Sequence, residues 1–136
     1  MSDLYMDLLI LEGEYQLIKL PVNQSIPAAV LAQVFFSVTR TPDELSIIVS
    51  ETVTIESKYN ETGWSIIKFV NNMELSLVGV TARITAVLAD SNVNICALAT
   101  YSTDYILVKR EKLGVAVQAL KNAGYHVVYE NEHNPL

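Results

Sequence analysis

Apolar and polar positions alternate most regularly in the second half of the chain. Residues 65–70 read as a strand, with Ile66, Ile67, Phe69 and Val70 flanking Lys68. The polar stretch 71–74 follows, and then Leu77, Thr81, Ile84 and Leu88 recur at helical spacing, with Val80, Val87 and Ala89 widening the stripe. Ser76 stands where an N-cap belongs, and residues 90–92 supply a helix end. Residues 94–100 form an apolar run in which Ile95, Ala97 and Ala99 alternate against Cys96 and Leu98. The stretch 101–104 reads as a turn and 105–109 as the returning strand of a hairpin. Leu113, Ala116, Val117 and Leu120 share one face of a helix over 111–122, Gly124 takes the C′ position, and residues 125–129 make a last strand. The order is β-α-β-β-α-β, the split pattern of a ferredoxin-like sandwich.

The first half follows the same grammar loosely. Residues 8–11 and 15–20 flank Glu12-Gly13-Glu14, a hairpin signal. A short helix is predicted over 28–33 after Pro27, then strands over 34–39 and 45–49 joined by a turn at 40–43 with Pro42 and Asp43. From Glu51 the chain is polar and irregular until Gly63, and the turn formers Asn60, Glu61, Thr62 and Gly63 mark a boundary. The expected organisation is therefore α+β, with an N-terminal unit over residues 1–62 that is truncated or irregular and a complete C-terminal unit over 63–136.

Length and charge narrow the function classes. With 136 residues, 51% of them hydrophobic and only 18% charged, the chain can build a core, and some of its apolar surface calls for a partner chain. Homo-oligomerisation, in the first instance a homodimer, is the expectation. Nine Lys and Arg stand against fifteen Asp and Glu, for a net charge of −6. The densest basic stretch, Lys109-Arg110, is followed at once by Glu111, so the counterion-displacing stripe of a nucleic-acid binder is missing. The start, Met1-Ser2-Asp3-Leu4, lacks the positive region of a signal peptide, and no apolar run approaches membrane-spanning length. A cytoplasmic protein that engages neither nucleic acid nor membrane is expected. The lone Cys96 sits in an apolar run and is expected to fill the core.

Catalytic chemistry finds no support. His126 and His133 lack partners at metal-ligand spacing, no nucleophile elbow or phosphate loop is present, and the carboxylates are scattered over turns and helix faces. No cofactor and no metal are expected. Two features remain. The segment containing Ser76, Leu77, Val78 and Gly79 opens a helix, whose unpaired amides and partial positive charge suit an anion. Gly79 could admit a ligand close to the backbone, or could simply let the helix pack tightly on its sheet. In the hairpin turn, Thr100, Tyr101 and Asp104 cluster; Asp104 could accept hydrogen bonds from an ammonium or guanidinium, or could merely shape the turn.

Three stretches carry a resemblance: residues 35–49 (FFSVTRTPDELSIIV), residues 75–80 (LSLVGV) and, most telling, residues 99–108 (ATYSTDYILV). In that order and spacing they resemble the ACT domain, a small-molecule-sensing module of regulated enzymes in amino-acid metabolism. More narrowly, they resemble the stand-alone bacterial ACT proteins related to the animal cytosolic arginine sensor. The similarity reaches from about Glu12 to Val128. It implies two ferredoxin-like ACT units in tandem and a free amino acid as ligand, a basic one being compatible with Asp104. By that resemblance Ser76, Leu77, Val78 and Gly79 would cradle the α-carboxylate. Thr100, Tyr101 and Asp104 would face the amino group or side chain. The sensor carries four units to this chain's two, so a homodimer would restore the number, with the pocket near the contact between second units. Output would pass through a regulated partner protein. A dimerising interaction module, its pocket filled by its own Met73 or Tyr101, is the alternative. A small ferredoxin-like enzyme would need a polar cluster on one sheet face, and the strands offer almost none.

Overall fold

The structure, a computed structural model, describes residues 7–70 and 79–132. Its regular elements are, in chain order, β1 (Asp7–Ile10), β2 (Tyr15–Leu20), α1 (Ala28–Leu31), β3 (Phe36–Arg40), β4 (Leu45–Ser50), β5 (Asn60–Val70), α2 (Val80–Asp90), β6 (Ile95–Ala99), β7 (Asp104–Lys109), α3 (Leu113–Asn122) and β8 (His126–Tyr129). The fold is mixed α+β of the ferredoxin-like kind. Residues group into two compact units: the described parts of Met1–Glu12 and Ser65–Leu136 form one, and Gly13–Trp64 the other.

In the first of these, β5, α2, β6, β7, α3 and β8 follow the βαββαβ order. The strands lie in the sequence β6-β7-β5-β1-β8, with β1 pairing antiparallel to β5 and parallel to β8. The helical stripes of the sequence bury as expected at Val80, Ile84 and Leu88 of α2 and at Ala116, Val117 and Leu120 of α3. They close one core with Leu8, Ile10, Ile67, Phe69, Ile106, Val108 and Val127, and partly buried Val87 and Leu113 pack against it. Two expected members of the α2 stripe depart from it: Ala89 is exposed, and Thr81, half-buried, turns its hydroxyl to a hydrogen bond. Both helices end in the six-residue motif that returns a later amide to the last turn. Val93 N–H donates to Leu88 O at 2.9 Å, with Asn92 left-handed, and Tyr125 N–H donates to Leu120 O at 3.0 Å, after Gly124. Cys96, expected in the core, is half-buried on β6.

In the other unit β3, β4, β2 and the Asn60–Trp64 stretch of β5 pair antiparallel in that order. Ile18, Leu20, Leu45, Ile47 and Val49 point inward and close on Val30 of α1 and on Val53. The second helix of the ferredoxin-like pattern is absent among the described residues. Irregular chain after β4 stands in its place, plugging the core with Val53 and Ile55. This is the truncation the sequence predicts.

Two local expectations need correcting. Glu12-Gly13-Glu14 does not close a hairpin between β1 and β2. Each strand has both edges occupied by others, β1 by β5 and β8, β2 by β4 and β5. The turn formers at 60–63 are not a loop either, because β5 starts at Asn60. A bulge absorbs the glycine: between Tyr15↔Trp64 and Leu17↔Glu61 the register shifts, and Gly63 takes φ 80°. A side chain there would be strained, so this residue permits a strand where its neighbours suggest a turn. Its N–H donates to the Glu51 carboxylate.

Candidate functional site

α2 is entered through Gly79, whose φ of 83° and ψ of −5° are left-handed. That conformation, more than close packing, explains the glycine: an L side chain would meet its own backbone. No side chain caps the helix, and its first turn holds no acidic residue. The Arg83 N–H donates to the Gly79 carbonyl at 2.9 Å, closing the first turn. The Arg83 side chain folds back along the helix, so its Nη1 lies 3.3 Å from where a Cβ on Gly79 would stand. The end of α2 thus presents backbone amides and a guanidinium together.

The β6–β7 hairpin supplies the second part. Its register pairs Ala99 with Asp104, leaving residues 100–103 as the loop. Thr100 closes that loop from both sides. Its N–H donates to Thr103 O at 2.8 Å, and its Oγ1 donates to the same carbonyl and accepts from Thr103 N–H, each at 3.1 Å. Tyr101 at the tip is fully exposed. Asp104, the first residue of β7, is half-buried, and its Oδ2 accepts from Thr81 Oγ1 at 3.0 Å.

That bond between Asp104 and the first turn of α2 brings the two sequence-predicted features to one place. Gly79 and Asp104 belong to it. Thr100 shapes the loop with its hydroxyl, and Tyr101 stands clear of the surface. Ser76, Leu77 and Val78, the expected carboxylate cradle, lie outside the described residues, as does Met73. Thr81 and Arg83 were missed by sequence reasoning. Thr81 sat within the helical stripe and was counted with it, and Arg83 looked like an ordinary solvated helix residue. Arg83, four residues after Gly79, is at a spacing that could have flagged it; nothing local flags Thr81, whose partner lies 23 positions away.

Among the described residues no group of three His, Cys, Asp or Glu is placed to hold a metal ion. His126 Nδ1 lies 3.1 Å from Asp7 Oδ1, an exposed contact between β8 and β1. No helix among the described residues is long and apolar enough to cross a membrane.

Comparison with known proteins agrees with this architecture. Residues 60–122 match the family model of the ACT domain, and a second model, of an N-terminal domain, matches residues 13–55. The later part of the chain is thus similar to an ACT domain. Its relatives include the human cytosolic arginine sensor for mTORC1 subunit 1, to which it is 32% identical over 97 residues, 63% of this chain and 30% of the sensor. The chain therefore spans less than a third of that relative. A crystal structure of a protein from Agrobacterium tumefaciens superposes with a TM-score of 0.87 at 29% identity, over 97% of this chain and 98% of that one. The aspartokinase α and β subunits share the fold, with a TM-score of 0.62 at 16% identity over 85% of this chain and 91% of theirs.

Proposed function

We propose that this protein is a cytoplasmic regulatory module without catalytic activity that binds a free amino acid at the start of α2, near a homodimer interface, and passes the signal to a partner protein. The observation that carries this reading is the 3.0 Å bond from Thr81 Oγ1 to Asp104 Oδ2. It ties an acceptor for ammonium to a helix end that favours a carboxylate. A zwitterion needs both charges met within a few ångströms, and these two elements offer that. Ser76, Leu77, Val78 and Gly79 are the proposed cradle for the α-carboxylate, with Thr100, Tyr101 and Asp104 toward the amino group or side chain. The ACT match and the relative named as an arginine sensor support an amino acid as the ligand class. A basic amino acid suits Asp104 through a charge-assisted bond.

The alternative, a dimerising module with a self-filled pocket, places a bulky side chain in the cleft. Tyr101 is fully exposed, which counts against that role for it. A thermal-shift screen of the twenty amino acids against wild type and Asp104→Ala tests the proposal. A ligand at a hundred times its dissociation constant stabilises the native state by about 2.7 kcal/mol. The expected result is at least one amino acid that raises the melting temperature of wild type by more than that of the variant. No shift with any of them would transfer the protein to the interaction-module class.

A further inference from the structure

The N-terminal unit carries a cleft of its own, of about 540 Å³, lined by Lys19, Glu44, Ser46, Lys58, Tyr59 and Glu61 among others. It opens on the side of β2 away from the core: Ile18 and Leu20 are buried inward, while Lys19 is exposed. Two ammonium groups converge on one ring there. Lys19 Nζ lies 5.2 Å and Lys58 Nζ 5.9 Å from the centroid of Tyr59. Like charges do not gather without cause, and the π face of Tyr59 offsets part of their repulsion.

The backbone beneath is pinned rather than loose. Lys19 N–H donates to Tyr59 O at 2.9 Å, Ser57 Oγ donates to Lys19 O at 2.7 Å, and Tyr59 N–H donates to Ser57 Oγ at 3.0 Å. These bonds set Tyr59, in the irregular chain just before β5, beside Lys19 of β2, and Lys58 is its chain neighbour. The opposite sign is also present. Glu44 is half-buried, with its N–H held by Thr41 Oγ1 at 3.2 Å, and Glu61 stands opposite Leu17 in the β2–β5 register.

We infer that this cleft is a second small-molecule site, distinct from the one at Asp104, and that it takes a zwitterion of free amino-acid size. The charge arithmetic selects that class. A simple anion gains at Lys19 and Lys58 but loses at Glu44 and Glu61, and a simple cation does the reverse. Only a ligand carrying both signs gains at both ends. Its carboxylate pairs with the Lys19 and Lys58 ammonium groups, and its ammonium faces the glutamates.

The test is a titration of the full ¹⁵N-labelled chain followed by the backbone amide signals of Lys19, Lys58, Tyr59 and Glu61. The probes are the twenty amino acids, with acetate, inorganic phosphate and methylamine as single-sign controls. At least one amino acid should give saturable shifts at these four amides. Those shifts should persist in Asp104→Ala and weaken roughly ten- to hundredfold in Lys58→Ala and in Glu61→Gln, since each removes one charged hydrogen-bond partner from an exposed position. Acetate, phosphate and methylamine should each bind more weakly. Absence of saturable shifts with every amino acid overturns the inference. So does acetate or phosphate binding as tightly as any amino acid, or affinity that neither variant changes. Because the Gly79, Thr81 and Asp104 amides report the other site in the same spectra, failure of one site is read separately from failure of the other.

Discussion

At Gly79 and Asp104 the chemistry of the candidate site comes down to two demands, a left-handed backbone and an oriented carboxylate. Gly79→Ala places a methyl on a backbone at φ 83° and within 3.3 Å of Arg83 Nη1. The guanidinium is the end of a flexible chain and can withdraw, so the cost is mainly conformational, about 1–2 kcal/mol by chemical denaturation. Withdrawal also removes the cation from the helix end, and amino-acid affinity should fall further than stability does. Thr81→Val separates the two demands. It takes away the donor that orients Asp104 in a half-exposed setting, costing about 0.5–1.5 kcal/mol of stability, whereas Thr81→Ser keeps the donor. A ligand-induced rise in melting temperature that is lost in Thr81→Val and kept in Thr81→Ser is the expected pattern; equal responses from both would remove Thr81 from the site. Part of this was legible in advance. Glycine before a helix and aspartate at a hairpin are local signals. The Thr81–Asp104 contact spans 23 positions in the chain, and no local spacing could disclose it.

Elements were read well where their own side chains decide them and poorly where their neighbours do. α2, α3 and the β6–β7 hairpin follow from stripes and alternation, and each was predicted to within two or three residues, α2 at its C-terminal end. β5 was cut short because Asn60, Glu61, Thr62 and Gly63 favour turns on their own. Pairing with β2 overrides that preference, and the bulge at Gly63 accommodates it. β1 and β2 were joined as a hairpin because a pattern of apolar runs around Glu-Gly-Glu contains no information about which strand each will pair with. The helix ends offer a check on the local side of this argument. Asn92 holds φ 63° at the close of α2, a conformation that asparagine tolerates and alanine does not. Asn92→Gly should leave the melting temperature near that of wild type, while Asn92→Ala should lower stability by about 1 kcal/mol. If alanine were as stable as glycine, the ending would owe nothing to backbone conformation.

On the scale of the whole chain, the placement of β1 has the widest consequence. Leu8 and Ile10 lie in the core made by α2, α3, Ile67, Phe69 and Val127, so the N-terminal strand completes a core whose other members begin more than fifty residues later. The Gly13–Trp64 unit is thereby an insertion between one strand of that core and the rest of it. Leu8 is fully buried, as is Ile47 in the core of the inserted unit. Replacing either by alanine should cost about 2–5 kcal/mol. The two variants differ in where the loss falls, which native-state hydrogen exchange reads amide by amide. Leu8→Ala should release protection first in α3 and β8, although these lie at the opposite end of the sequence, and leave β3 and β4 less affected. Ile47→Ala should do the reverse. If Leu8→Ala instead loosened β3 and β4 and spared β8, the N-terminal strand would belong energetically to its neighbours in sequence. An insertion arrangement makes the opposite demand: β1 can be stable only when β5 and β8 are both in place, so its amides should exchange together with those of β8 and not with those of β2.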